Sequence, residues 1–286
     1  MPCFLCTTCG TQFADATVPP TACPICDDER QYVPAGGQRW TTLEQLRRTH
    51  RNAFQRLEPG LYGIGTEPRF AIGQRALLVR TSGGNVLWDC ITLLDDATVD
   101  LVQALGGLRA VAISHPHFYT TMVEWAHAFG CPVLLHADDR AHVMRPDPAL
   151  HFWDGEALAL DAMGPEGLTL VRCGGHFDGS TVLHWAGGAG GRGALLSGDT
   201  LQVVEDRRHV SFMRSYPNLV PLDAARVRRV VVAVEPYAYE RIYGGWWDRH
   251  VECDAQGAVA RSAARYLAAI AAPDDGGAAF TWRTEP

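Results

Sequence analysis

The run Leu108-Arg109-Ala110-Val111-Ala112-Ile113 leads straight into Ser114-His115-Pro116-His117. A short apolar run of this kind reads as a buried strand, so both imidazoles stand at a strand exit. Their i, i+2 spacing lets them converge on one point. Two further segments share the plan. Gly174-Gly175-His176-Phe177-Asp178-Gly179-Ser180 falls between the β-rich runs Leu168 to Val171 and Thr181 to Trp185. Leu195-Leu196-Ser197-Gly198-Asp199-Thr200 ends the run that begins at Ala194. Each segment puts a metal-ligand type of side chain on a loop held by a rigid element.

Working outward from these segments, strands and helices alternate. Ala76 to Thr81, a Ser82-Gly83-Gly84-Asn85 turn and Val86 to Cys90 read as a hairpin. A helix is expected from Ala97 to Leu105, another from about Thr121 to Phe129, and a strand at Pro132 to His136. Farther on, Val230 to Val234 reads as a strand and Ala258 to Ile270 as a helix, with Gly187 to Gly193 as a hairpin loop. The order predicts a layered α/β arrangement. Upstream, Thr41-Thr42-Leu43-Glu44 has the form of a capping box, and Leu43, Leu46, His50, Ala53, Phe54 and Leu57 recur at helical spacing. Residues 35–60 are therefore expected to be a linking helix, between residues 1–34 and a main domain at 61–286.

The chain has 286 residues, 47% of them hydrophobic and 20% charged, which suits a folded globular protein. A formal charge of −7 leaves no overall positive field for nucleic acid or anionic lipid, and those partners are not expected. No stretch of about 18 uninterrupted apolar residues suggests a membrane span. The first residues carry no basic segment followed by an apolar run, so a secretory signal is not expected. Five of the nine cysteines lie in the first 26 residues and the others are scattered singly. That is metal-site usage and favours a reducing cytoplasm.

Cys6-Thr7-Thr8-Cys9-Gly10 and Cys23-Pro24-Ile25-Cys26 are two C-x-x-C pairs with 13 residues between them. Each pair can aim two thiolates at one ion, and two such turns complete a tetrahedral sulfur site. Cys3 also forms a C-x-x-C with Cys6, but Gly10 and Pro24 favour the other four, leaving Cys3 spare. The segment resembles a zinc ribbon or a shortened rubredoxin-type knuckle. Structural zinc is the expected ion, because so small a segment gains its folding energy from metal.

The histidine and aspartate segments together resemble the metallo-β-lactamase superfamily over roughly residues 61–270. That resemblance implies a four-layer αβ/βα sandwich following the N-terminal zinc ribbon. It implies metal ligation by His115, His117, His176 and Asp199, with zinc or iron in this main site. It also implies that Asp89, in Trp88-Asp89-Cys90, supports the ligands from behind. The family pattern calls for aspartate at position 119 and histidine at 120, where this chain has Tyr119 and Thr120. The second metal position thereby loses two ligands, and a mononuclear site remains. The missing aspartate commonly handles the attacking water in this family, so Asp199 or Tyr119 has to substitute as the catalytic group. The family's last histidine corresponds best to His250, in Gly244-Gly245-Trp246-Trp247-Asp248-Arg249-His250, with Trp246 and Trp247 as possible caps of the pocket.

Three imidazoles with an open fourth position fit the pattern of catalytic zinc, which lowers the pKa of bound water towards about 7. The leading expectation is a metal-dependent hydrolase of a small ester, thioester or lactone-type substrate. Two alternatives stand beside it. One is an iron-dependent redox protein of the same fold, and the other is a catalytically weak metal-binding module in which the ribbon docks a partner. Substrate identity and oligomeric state are not readable from the sequence.

Overall fold

The structure is a computed structural model and describes residues 1–271; the end of the expected 61–286 domain lies outside the described residues. Two sheets face each other. The first has seven strands in the spatial order Leu150–Trp153, Val133–His136, Ala110–Ala112, Gly84–Trp88, Arg75–Thr81, Leu61–Glu67, Arg51–Glu58. The second has six, in the order Ala157–Ala159, Leu168–Arg172, Thr181–Trp185, Ala194–Gly198, Arg241–Gly244, His250–Val251. Parallel pairing joins Gly84–Trp88 to Ala110–Ala112 and Ala110–Ala112 to Val133–His136. The helices Asp96–Ala104 and Met122–Phe129 supply the crossovers those two pairs need.

The layers follow from side-chain alternation along the strands. In Arg75–Thr81, Leu77 and Val79 point inward and join Val86, Trp88, Ala110 and Ala112 against Leu168, Leu170, Leu183 and Leu196 of the second sheet. Leu78 points the other way, with Leu87, Val111 and Val133, into a second core under Val102, Met122, Val123 and Trp125 of the two crossover helices. The second sheet repeats the device. Its outward-facing Val171, Val182, Leu195 and Ile242 meet helices Ala224–Val234 and Ala255–Ile270. The result is the expected four-layer αβ/βα sandwich. Among the described residues no helix is long and apolar enough to cross a membrane.

Two expected elements differ. Residues 35–60 do not form a linking helix: only Leu43–Arg47 is helical, and Arg51–Glu58 is an edge strand paired antiparallel with Leu61–Glu67. Pro59-Gly60 makes the turn between them, with Gly60 at φ +85°, and the register it sets puts Phe54 opposite Ile64. The helix cap also shifts by one residue, because Thr42 rather than Thr41 accepts from a backbone N–H, that of Gln45 (3.3 Å). Likewise, Val230–Val234 is the end of a helix, not a strand. Asp223 caps it by accepting from the N–H groups of Ala225 and Arg226 (2.9 Å each), and Val227, Val230 and Val234 are buried at helical spacing. Val232 faces water, which a buried strand would not allow.

The cysteine segment forms a small three-stranded antiparallel sheet in the order Gln12–Asp15, Cys3–Cys6, Trp40–Thr42. Its third strand comes from beyond residue 34, so this unit reaches into the stretch read as linker.

Candidate metal centres

The two C-x-x-C turns meet. The sulfurs of Cys6, Cys9, Cys23 and Cys26 all lie within 4.8 Å of one another and all four residues are buried. Gly10 N donates to Cys6 O (2.8 Å) and Cys26 N to Cys23 O (3.0 Å), closing each turn around its pair. Cys6 and Cys26 sulfurs are 3.6 Å apart, as are those of Cys9 and Cys23. Four sulfurs bound tetrahedrally at about 2.3 Å stand about 3.8 Å from one another, so the cradle has the size of a zinc site. Cys3 stays outside the group. The unit docks at Gly10, where φ is +83° and a Cβ would stand 2.3 Å from Thr92 Oγ1.

The second cluster sits at the ligand end of the two sheets. Thr181 N donates to Ser114 O (3.0 Å), stitching the sheets together there. One ligand atom from each of His115, His117, His176 and Asp199 lies within 4.8 Å of the others, and all four residues are buried. His176 Nδ1 donates to Met213 O (3.1 Å), which fixes its tautomer and leaves Nε2 facing His117 Nδ1 at 3.2 Å. His115 Nδ1 lies 2.8 Å from Ser114 Oγ, and His115 Nε2 lies 3.5 Å from Asp199 Oδ2. Two donors bound tetrahedrally at about 2.0–2.1 Å stand about 3.3–3.4 Å apart, so these separations suit one ion. His115 Nε2 is buried without a hydrogen-bond partner, which an ion would relieve; His117 Nε2 and Asp199 Oδ1 are buried and unpartnered as well.

Burial sets the charge states. It pushes the imidazoles of His115 and His176 down to about 3 and that of His117 well below its usual range. All three are therefore neutral near pH 7, with lone pairs free. Burial pushes the Asp199 carboxyl up to about 6, and the nearby His176 opposes it. Above the cluster lies a cavity of about 340 Å³. His117, His176 and Asp199 form its floor, and Tyr32, Ile72, Tyr216, Pro217 and Trp246 form much of its wall.

No family model matches the chain. Among solved structures, the DIM-1 metallo-β-lactamase has a TM-score of 0.57 at 13% identity, covering 77% of this chain and 98% of its own. VMB-1 has 0.57 at 12% over 77% and 99%. The FIM-1 metallo-β-lactamase from Pseudomonas aeruginosa in its mono-zinc form has 0.55 at 14% over 76% and 96%. By sequence, the uncharacterized protein YmaE of Bacillus subtilis (strain 168) is 48% identical over 272 residues, 94% of this chain and 97% of that protein. The chain is a metallo-β-lactamase-fold member of the YmaE family. At such low identity, the β-lactamases share its fold and carry no further argument. The alignment with YmaE spans nearly all of both chains, so the match is not confined to one part of the molecule.

Several residues singled out in the sequence of this YmaE-family chain stand elsewhere than expected. Tyr119 is not a pocket acid: it is 3% exposed, packs in the core under the crossover helices and does not line the cavity. Its phenol is pushed well above the usual range by burial, then by Asp139. Thr120, at φ +36°, serves docking, its carbonyl accepting from Gln12 N (3.1 Å) of the cysteine unit. His250 is not in the ligand cluster. Strand pairing opposite Tyr243 holds it at the sheet edge, where Nε2 lies 2.8 Å from Glu252 Oε1 and beside Arg207. Asp89 acts through an intermediary, its Oδ1 accepting from Ser114 N (2.8 Å) while Ser114 Oγ holds His115. Trp246 lines the cavity, whereas Trp247 packs over Gly63, Gly65 and Arg75.

The sequence reading missed Gln31, Tyr32 and Tyr216. Tyr216 Oη stands 2.9 Å from Asp199 O and so anchors the loop that carries Asp199. Nothing local in the sequence marks these residues, because their role comes from the docking of the cysteine unit and of the 210–221 segment onto the site.

Proposed function

We propose that this protein is a metal-dependent hydrolase of a small ester, thioester or lactone-type substrate, with a mononuclear zinc site. The observation that carries the reading is the convergence of three neutral imidazoles and one carboxylate, buried and short of partners, on the floor of a cavity of small-molecule size. His115, His117 and His176 would hold the ion, leaving its fourth position, beside Asp199, for water or substrate. Zinc held there would supply Lewis acidity towards a carbonyl and would lower the pKa of water towards neutrality. The chain's own parts prepare this chemistry. Met213 O and Ser114 Oγ orient His176 and His115. Asp199, which lines the cavity, is the carboxylate available for the proton of the attacking water, since Tyr119 is enclosed in the core. Tyr32, Ile72 and Trp246 cover the apolar part of the substrate and exclude bulk water.

The test is turnover of p-nitrophenyl acetate and of a short acyl thioester by wild type, by chelated protein with zinc restored, and by His117→Ala of unchanged circular dichroism. The reading expects activity that needs zinc and is lost in the variant. Activity indifferent to both would sink it. The loss of the family's ligands at 119 and 120 favours a second reading, a metal-binding module without turnover. Metal-loaded wild type that binds small carbonyl compounds but hydrolyses none would favour that one.

A further inference from the structure

The cavity over the histidine site has a charged side chain in its wall that the hydrolase reading does not use. Among the described residues, Arg69 is the one cationic side chain that lines this cavity, together with His117, His176 and Asp199. It is exposed, and its guanidinium makes one hydrogen bond among those residues, from Nη2 to Ile72 O (2.6 Å), and no ion pair. The chain carries a formal charge of −7, and other arginines near the site are already paired, Arg30 with Asp28 and Arg214 with Glu29. In a molecule rich in carboxylates, Arg69 faces the cavity without one.

The loop between strands Leu61–Glu67 and Arg75–Thr81 is shaped around this side chain. Gly73 has φ +75°, and a Cβ there would stand 2.3 Å from Arg69 Nε and 2.7 Å from its Cδ and Cγ. Glycine at 73 therefore leaves the room in which the arginine folds across the loop to Ile72 O. The same carbonyl accepts from Trp246 Nε1 (3.3 Å), so three residues of the cavity wall, Arg69, Ile72 and Trp246, are tied at one oxygen. The loop is anchored on both sides of that point. Gly73 N donates to Phe70 O (3.0 Å), and Phe70 packs against the cluster of Leu5, Leu46 and Leu93. Gln74 Nε2 donates to Cys90 O (3.1 Å), and Arg75 N to Gly245 O (2.7 Å). A guanidinium held in place in this way loses less side-chain entropy when it binds than one that sweeps through water.

We propose that Arg69 is a substrate-binding residue that recognises a carboxylate on the substrate, away from the carbonyl under attack. A guanidinium matches a carboxylate in shape and donor geometry, and one positive charge balances one carboxylate, whereas a phosphate of about −1.5 to −2 would stay partly uncompensated. This rests on the cavity being the substrate site of the proposed hydrolase. It narrows the substrate to an ester or thioester that carries a free carboxylate. The half-ester of a short dicarboxylic acid is of this kind, since Arg69 and the histidines share one cavity of about 340 Å³.

The test titrates zinc-loaded full-length protein in a calorimeter with 4-oxopentanoate and with 4-oxopentanamide, which differ only by a carboxylate against a neutral amide of the same shape. Wild type is expected to bind 4-oxopentanoate about tenfold more tightly, the worth of one charge-assisted hydrogen bond. In Arg69→Gln the two probes should bind within about twofold of each other. Arg69→Lys should keep a preference of about threefold, because the charge remains and the fork is lost. Zinc content should be the same in all three proteins. Equal affinities in wild type, failure of 4-oxopentanoate to bind, or a preference that survives in Arg69→Gln would each overturn the proposal, the last by placing the carboxylate on the metal. Monomethyl succinate and methyl succinamate, followed by proton release, separate it from the hydrolase reading. If the binding preference is present but neither ester turns over, hydrolysis fails and the role of Arg69 stands; if both esters turn over with equal KM and the preference is absent, the reverse holds.

Discussion

Gly198 shows how little room the histidine site has. Its φ is +51°, and a Cβ there would stand 2.6 Å from Ser114 Oγ and 3.3 Å from Asp89 Oδ2. Ser114 is the residue that holds His115, so Gly198→Ala should displace a ligand as well as strain the backbone, at a cost of about 1–3 kcal/mol. A lower melting temperature together with weaker zinc retention under competition by a chelator is the expected result. Asp139 is a different kind of residue, one that titrates near neutrality. It is 2% exposed, accepts from Gly179 N (3.0 Å), and burial pushes its carboxyl up to about 7, with Asp178 and Asp138 adding to the shift and Arg30 opposing it. The native state then holds a proton that the unfolded chain has already released. Stability from this group is full below the unfolded value near pH 3.8 and is lost as pH rises through about 7. Asp139→Asn removes the dependence, so denaturant unfolding should show the variant gaining on wild type by about 2 kcal/mol between about pH 5.5 and 7. A constant gap across that range would contradict the assignment.

The elements differ in how far they could be read. The strand exits at His115 and Asp199 and the two C-x-x-C turns were legible, because each joins an apolar run or a tight turn to a ligand type within a few residues. The stretch 43–57 was not, since Leu46, Phe54 and Leu57 satisfy a helical period while the decisive signal, the Pro59-Gly60 turn, stands just beyond it. Val230–Val234 misled for the opposite reason: its β-branched residues look like a strand, yet the Asp223 cap and the spacing of Val227, Val230 and Val234 determine a helix. Asp223→Ala should therefore cost about 1 kcal/mol, seen as a shift of the unfolding midpoint with unchanged slope. Removal of a cysteine ligand acts on a whole element. Cys23→Ala opens the sulfur cradle and loosens the segment from Asp28 to Gln31, so it should lower the melting temperature while zinc binding at the histidine site persists.

At the scale of the molecule, docking contacts join the two candidate metal centres. The cysteine unit docks on the main domain through Gly10 and Gln12 at one place and through Glu29 to Gln31 at another. At the first of these places it uses Thr120 as a support, the Thr120 carbonyl accepting from Gln12 N. None of this was visible in the sequence, because the contacts join residues about 100 to 190 positions apart and follow no local pattern. The account stands on the claim that both clusters hold an ion. The measurement that tests it most directly is metal content per chain in wild type, His117→Ala and Cys23→Ala, each purified without chelator or added metal. The account predicts about two zinc ions in wild type and the loss of one in each variant. A wild type holding a single ion that only Cys23→Ala removes would mean that the histidine site binds no metal, and would contradict it.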